Sequence, residues 1–302
     1  MVGGWQMNVV ILGAGGLWGR ACVAAARASG HPVIALRRED LDVTNADRVE
    51  ACLKELGPDW VMNAAAWARM DRCREDPAKA WVINVEVPIR LGRLAERLGF
   101  RLCHVSSDYV FAGLQAEPYR ESDREEPLSA YGHQKLAADE GLLEMKRPEI
   151  LIVRVAWLFG PGGTTFMSQM PRLLREQEEL QVAEGRVGSC LFAGEGASVA
   201  FELMERNVSG LVHLVHRGAV TWLDFAKACR EEMQARGETL RCQRILGVPL
   251  EAIPGLADPR PPFSILAVDR LEHHLGRPMS DWRDGLKQFL DQEGSAKVAN
   301  RG

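Results

Sequence analysis

Short apolar runs rich in β-branched residues recur through the first half of the chain, at residues 8–12, 31–36, 60–63, 101–105 and 150–155. Between them lie longer stretches with apolar residues at helical spacing. A continuous apolar run of this length fits a strand covered on both faces better than a helix. Gly30, Gly57-Pro58 and Gly99 stand where the intervening helices must stop. Thr44 or Asn45 can cap the helix that runs to about residue 56, and Asp76-Pro77 and Ser129 open two more. Strand–helix alternation predicts an α/β fold, a Rossmann-like doubly wound parallel sheet over residues 1–160. In the helix after Pro77, Pro88 removes the bond that the Asn84 carbonyl would accept. That predicts a distorted turn beside Asn84, which reads equally as a positioned polar group or a surface residue.

Beyond residue 160 the alternation loosens. Residues 166–178 and 222–234 read as amphipathic helices, 211–215 as a strand, and 270–275 and 281–290 as short helices. Pro254, Pro259, Pro261 and Pro262 mark an irregular segment. Residues 161–302 therefore read as a smaller substrate-binding lobe interleaved with the sheet. Residues 293–302 read as a mobile tail and 1–6 as a loose extension, with Met7 an alternative start.

Composition narrows the function classes. The 302 residues are 46% hydrophobic and 26% charged, ordinary for a globular protein. A net charge of -4 gives no electrostatic footprint for nucleic acid or anionic membrane. No run approaches the ~20 apolar residues of a membrane helix. The seven cysteines are scattered without metal-ligand spacing, so no metal site is assigned and a reducing cytoplasm is expected.

Three stretches carry candidate chemistry. The first strand runs into Gly13-Ala-Gly15-Gly16-Leu17-Trp-Gly19 and then a helix. The glycines fit a Gly13-x-x-Gly16-x-x-Gly19 spacing, since Trp18 fills the last place of G-x-G-x-x-G. Such a turn brings backbone N–H groups and a helix N-terminus up to a pyrophosphate. After the second strand, Arg37 and Arg38 precede Glu39 and Asp40. Arginine there suits the 2′-phosphate of NADPH, while the adjacent acids leave a solvated charged loop, and NADH, open. The third strand opens into Ala64-Ala65-Ala66, small enough for a flat ring to lie close.

The fourth strand delivers Ser106-Ser107-Asp108-Tyr109 to the carboxyl edge of the sheet, where two hydroxyls and a carboxylate can polarise a carbonyl. Tyr131 and Lys135, four apart, share one helix face. A close ammonium favours phenolate, and lowering the tyrosine pKa from about 10 to about 7 takes roughly 4 kcal/mol. The pair predicts a proton donor.

With these motifs in this order, the chain resembles the extended short-chain dehydrogenase/reductases, and more narrowly the dTDP-4-dehydrorhamnose reductase family. Further stretches that carry the likeness are Leu41-Asp-Val-Thr44, Tyr131-Gly-His-Gln-Lys135, Arg154-Val-Ala-Trp157, Thr221-Trp-Leu-Asp-Phe-Ala226 and Arg260-Pro261 with Ser264, Leu266 and Trp282. The resemblance implies an oxidoreductase that reduces the C4 ketone of a nucleotide-linked 6-deoxy sugar, in dTDP-rhamnose biosynthesis. Tyr131 would be the donor, Lys135 would lower its pKa and hold the ribose, and Ser107 would bind the carbonyl. Asp108 and Trp157 would contact the sugar. Gly13, Gly16, Leu17, Gly19, Asp42, Val43 and Ala64 to Ala66 would hold the dinucleotide. It implies a monomer or homodimer, a divalent metal supporting the dimer in some members.

The family's usual Gly-Ser-Pro-Thr appears here as Gly188-Ser189-Cys190-Leu191, the Asp-Leu-Ala that follows as Glu195-Gly196-Ala197, and Trp67 to Met70 replace a more typical loop. These departures fall where the sugar nucleotide should lie. They suit a second reading, a non-catalytic regulatory subunit resembling that of methionine adenosyltransferase. A pure scaffold, however, has no need of Ser107, Tyr131 and Lys135 together.

Overall fold

The computed structural model describes residues 6–253 and 258–299. Strand β1 (Val9–Leu12) passes through the glycine turn into α1 (Leu17–Ala28), followed by β2 (Val33–Leu36), α2 (Ala46–Leu56) and β3 (Trp60–Asn63). Every residue of β1 and β3 is buried, as their unbroken apolar runs require. Asn45 is the residue that caps α2, accepting from the Arg48 N–H at 3.1 Å, and Gly57 ends the helix at φ 51°. A short helix, α3 (Met70–Glu75), precedes α4 (Pro77–Trp81) and α5 (Val87–Leu98). Between the last two, Val82–Glu86 form one π turn. Pro88 has no N–H for the Asn84 carbonyl, and the Val87 N–H reaches back five residues to Val82. The turn leaves Asn84 buried. Next come β4 (Arg101–Ser107), α6 (Ala130–Leu143) and β5 (Ile150–Val155).

The second half of the chain has β6 (Leu158–Phe159), α7 (Phe166–Glu176), β7 (Glu179–Ala183), β8 (Val187–Gly188), β9 (Leu191–Phe192) and α8 (Ala193–Glu205). It continues with β10 (Gly210–His213), β11 (Val220–Thr221), α9 (Trp222–Ala235), β12 (Arg244–Val248), β13 (Phe263–Ser264), α10 (Asp269–Leu275) and α11 (Trp282–Ala299). The main sheet has the order β10-β5-β4-β3-β1-β2, all parallel. The chain turns back between β1 and β3, and a crevice opens outside the carboxyl ends of strands at such a point. One apolar core lies between the sheet, α1 and α8, and another beneath α2 and α5. A third, around Phe159, Phe192, Phe225 and Phe289, binds α7, α9 and α11 into the lobe.

The structure departs from the sequence reading in several elements. Helices α3 and α8 and the short strands of the lobe were not foreseen. Helix α11 continues to Ala299, through most of the stretch read as a mobile tail, since no proline interrupts it. Residues 300–302, Met1 to Trp5 and Pro254 lie outside the described residues. Gln6, read as part of a loose extension, donates from Nε2 to the Gly30 carbonyl at 3.0 Å.

Candidate active site

The glycine turn shows which of its positions serve the fold and which face outward. Gly13 has φ 77°, and a Cβ there would lie 2.6 Å from the Ala65 nitrogen, so the turn and the end of β3 touch backbone to backbone. A Cβ on Gly19 would lie 2.7 Å from the Ala14 Cα and closer still to the Gly13 carbonyl. Gly16 is different. Its Cβ would meet only the Gly13 oxygen, at an ordinary 3.5 Å. Gly16 caps α1 without a side-chain hydrogen bond, no acid stands in the first turn, and Leu17 begins the helix. The first-turn N–H groups have no helical acceptor of their own. This is the cradle a pyrophosphate needs, and the residues present fit a dinucleotide.

Arg37 leaves the end of β2 with its Cγ 3.9 Å from where a Gly15 Cβ would stand, its side chain 64% exposed. Its nearest acid is Glu39 at 3.8 Å. Asp42 is exposed and builds a turn, accepting from the Thr44 N–H at 3.0 Å and hydroxyl at 2.8 Å, which hold its carboxyl below the usual range. Val43 packs against the core beneath α2. Ala64 and Ala65 are half-buried beside Gly13, and Ala66 is exposed.

Ser107 ends β4, and Asp108 begins a single 3-10 turn. The Ser107 hydroxyl donates to Asp108 Oδ1 at 3.2 Å and accepts from the Tyr109 N–H at 3.3 Å. Ser129 caps α6 through the Gly132 N–H at 3.1 Å, which starts the helix one residue before Tyr131. Tyr131 is buried among Met70, Cys73 and Ala80, with Trp67 and Tyr109 against it. Ser107 meets its hydroxyl. Asp108 is 1% exposed, and burial pushes its carboxyl up to about 7, opposed by the nearby Ser264 hydroxyl and by the hydrogen bond from Ser107.

One expectation is reversed. Burial raises the Tyr131 phenol above its ordinary value; Ser107 opposes this, while Asp108 and Cys73 add to it. Lys135 is not among the largest influences on the phenol, and its Nζ donates to the Val105 carbonyl at 2.7 Å. Burial lowers Lys135 itself to about 8, opposed by Asp139 one turn on. Asp139 Oδ2 in turn accepts from Arg154 Nε at 2.9 Å and from the Ser106 hydroxyl at 2.7 Å. At neutral pH the pocket thus holds a protonated phenol beside a serine hydroxyl, the state a proton donor must start from.

Asn84 fastens this wall. Its Oδ1 accepts from the Trp67 N–H at 2.8 Å, and its Nδ2 donates to Gln134 Oε1 at 2.8 Å, joining the loop after β3 to α6. Trp157 closes the lobe side. Its φ is 34°, unusual for a side chain of that size. A Cβ on Gly188 would lie 2.8 Å from its ring, and Trp222 stands edge-on at 5.8 Å. The sequence reading missed Cys73, Met70 and Gln134 as neighbours of Tyr131. Only the tertiary fold brings α3 there, whereas the one-turn spacing of Gln134 from Tyr131 was available. No group of three His, Cys, Asp or Glu among the described residues is placed to hold a metal ion.

Comparison with known proteins shows the family and the fold. A spore coat polysaccharide biosynthesis protein, SpsK, of Bacillus subtilis is 31% identical over 96% of this chain and 99% of its own. A dTDP-4-dehydrorhamnose reductase of Aggregatibacter actinomycetemcomitans is 32% identical, covering 93% of this chain and 98% of that one. The crystal structure of a dTDP-4-dehydrorhamnose reductase from Bacillus anthracis in complex with NADP superposes with a TM-score of 0.87 at 26% identity, over 95% of this chain and all of that one. The chain is an oxidoreductase of the short-chain dehydrogenase/reductase fold. Residues 7–295 match the RmlD substrate binding domain family, and the protein belongs to it.

Proposed function

We propose that the protein uses NADPH to reduce the C4 ketone of a dTDP-linked 6-deoxy-4-keto sugar, dTDP-4-dehydro-L-rhamnose to dTDP-L-rhamnose, in the cytoplasm. The observation that carries this reading is the meeting of Ser107, a protonated Tyr131 and buried Lys135 at the carboxyl edge of the sheet whose glycine turn fits a dinucleotide. The names of its relatives supply the sugar. Residues 1–160 hold the dinucleotide through Gly13, Gly16, Leu17, Gly19, Arg37, Asp42, Val43 and Ala64 to Ala66, and the rest mainly shape the sugar site. A bound NADPH supplies the hydride.

The chain's own residues do the remainder. The Ser107 hydroxyl donates to the substrate carbonyl oxygen and draws charge onto it. Tyr131, held beside it, gives its proton to that oxygen as charge develops. The Lys135 ammonium, fixed by the Val105 carbonyl, adds a positive charge that favours the resulting phenolate. Asp108 and Trp157 orient the sugar, and the apolar wall of Met70, Trp67 and Tyr109 keeps water from the reacting oxygen. The regulatory-subunit reading is not favoured, since several relatives are named as reductases.

The test is turnover by the purified protein of dTDP-4-keto-6-deoxyhexose, offered in both C5 configurations, with NADPH and with NADH. Consumption of the reduced nicotinamide with formation of the 4-hydroxy sugar is expected, faster with NADPH. No turnover on any nucleotide-linked keto sugar would sink the assignment.

A further inference from the structure

Strand β4 ends in two serines, and they meet different partners. Ser107 meets the Tyr131 hydroxyl, whereas the Ser106 hydroxyl donates to Asp139 Oδ2 at 2.7 Å. Asp139 lies on α6, one turn beyond Lys135, and is fully buried. The same Oδ2 accepts from Arg154 Nε at 2.9 Å. Arg154 is the β5 residue paired with Ser106, is also fully buried, and donates from Nη2 to Glu125 Oε1 at 2.8 Å. Lys135 Nζ reaches the Val105 carbonyl at 2.7 Å. Glu125, Arg154, Asp139 and Lys135 thus alternate in charge between the sheet and α6. Of these four, the reduction uses the Lys135 ammonium alone.

We propose that Asp139 is a positioning residue that acts through Lys135 and Ser106, fixing α6 against the end of β4 so that the Tyr131 and Ser107 hydroxyls meet one substrate oxygen, an inference that rests on the reduction proposed above. Tyr131 and Ser107 belong to different elements, so their separation is set by what ties those elements together. Two side-chain bonds do so just ahead of Ser107, from Lys135 to Val105 and from Ser106 to Asp139. A reacting group misplaced by about 1 Å can cost on the order of a hundredfold in rate. Asp139 also acts by charge. Burial lowers Lys135 to about 8, and Asp139 leads the groups that oppose the fall. The other titratable groups facing Lys135 are His104 on β4, which burial and Lys135 hold neutral, and Cys73 on α3, whose thiol burial pushes up to about 11. Asp108 and Tyr109 face Tyr131 from the 3-10 turn. Burial raises the Asp139 carboxyl, and Arg154, Ser106 and Lys135 oppose this. Among the described residues, its carboxylate is the anion that keeps the ammonium beside the proton donor. A neutral group in its place leaves Lys135 buried without a counterion.

The test follows the pH profile of kcat for the keto sugar, and the titration of Lys135 by NMR of protein carrying isotope-labelled lysine, in wild type, Asp139→Asn, Asp139→Glu and Ser106→Ala. In wild type the alkaline limb of the profile and the Lys135 midpoint are both expected at about 8. Asp139→Asn is expected to move both down by about one to two pH units and to lower kcat at neutral pH by about tenfold, with KM for the keto sugar changing far less. Asp139→Glu restores the carboxylate and is expected to return both midpoints to about 8. Ser106→Ala keeps every charge and removes one bond to α6, so kcat is expected to fall about threefold to tenfold with both midpoints unmoved. A merely structural role would lower stability and leave the midpoints in place. Folded Asp139→Asn with both midpoints at the wild-type values therefore overturns the proposal. If Asp139→Asn does not fold, wild-type kcat in Ser106→Ala overturns it. A wild-type protein that turns over no keto sugar, with the Lys135 midpoint still lowered in Asp139→Asn, would sink the reduction and keep the tie between Asp139 and Lys135. Turnover with neither midpoint moved would do the reverse.

Discussion

In the main sheet, β4 pairs with β5 along six residues and with β3 along four, each strand parallel to its neighbour. In the lobe, β8 pairs with β11 and with β13 over two residues each. Side-chain bonds between remote segments supplement these two-residue pairings. Arg186 holds the Arg260 and Pro261 carbonyls, the Ser189 hydroxyl accepts from the Leu266 N–H at 3.1 Å, and Arg74 pairs with Asp258. Ser107 and the glycine turn thus stand at the ends of ladder strands, which resist local opening, while Tyr131 stands on α6. The proposed sugar-nucleotide wall leans on single bonds that one substitution can move. On the function proposed above, the contrast puts reaction type on the sheet and substrate choice on the lobe. It predicts that changes at the sheet edge cost turnover, and that changes in the lobe cost affinity.

The sharpest attack on that division is Tyr131→Phe. It removes the hydroxyl and leaves the ring against Met70, Cys73 and Tyr109. Turnover should fall by about a hundredfold to ten-thousandfold with NADPH binding retained, as measured by steady-state kinetics and cofactor titration. Full activity in this variant would remove Tyr131 from the mechanism. The pH profile sharpens the same point, because Lys135 titrates at about 8. The reduction rate should fall as pH rises through that value and the ammonium is lost.

Asp108 tests whether the sheet edge is a strained site. Its folded pKa of about 7 lies above the ordinary 3.8. The folded state then binds more protons than the unfolded state between about pH 4 and 7, so stability falls as pH rises through that window. Asp108→Asn removes the titration. In urea unfolding, the variant should gain on wild type by a few kcal/mol from pH 4 to pH 8. A difference that stays flat over that range would show that Asp108 ionises at its ordinary pKa.

The glycine turn separates fold from binding within a single motif. Gly19→Ala places a methyl against the Gly13 carbonyl and should cost about 1–3 kcal/mol of stability by denaturant unfolding. Gly16→Ala has room, so its stability should change by well under 1 kcal/mol while NADPH affinity drops. If Gly16→Ala binds NADPH as well as wild type, the cradle is only a turn.

How much of this was legible follows the same divide. The unbroken apolar runs of β1 and β3, the Asn45 cap and the distortion that Pro88 forces at Asn84 are local events, written within a few residues of where they act. Helix α8 was not legible, because Gly194 and Gly196 lower its propensity. Its reason is tertiary. A Cβ on Gly196 would lie 2.6 Å from Leu191, so close packing overrides the local preference. Helix α3 was hidden by the charges of Asp71, Arg72 and Arg74 around two buried residues, Met70 and Cys73. The Tyr131–Lys135 spacing correctly placed both residues on one helix, yet could not show that both are buried or that the ammonium turns to the Val105 carbonyl. Two-residue strands such as β8 and β13 are too short for any periodicity.

The smallest expected effect falls on cofactor choice, at a site residue that is mostly solvated. Arg37 lies over the glycine turn with a guanidinium whose one ion pair among the described residues is Glu39 at 3.8 Å. Its N–H is fixed by Asp40 Oδ2 at 2.9 Å, so the backbone is set and the side chain is the variable. A charge pair in such exposure is worth about 1 kcal/mol at most, and salt screens it. Arg37→Ser should therefore lower the preference for NADPH over NADH by only about fivefold, mostly through KM for NADPH, and the difference should shrink at high ionic strength. KM for NADH should barely move, since a ribose 2′-hydroxyl offers the guanidinium no charge. An unchanged ratio at low salt would place the 2′-phosphate away from Arg37. The choice between dinucleotides would then have to come from Arg38 or from the turn that Asp42 builds.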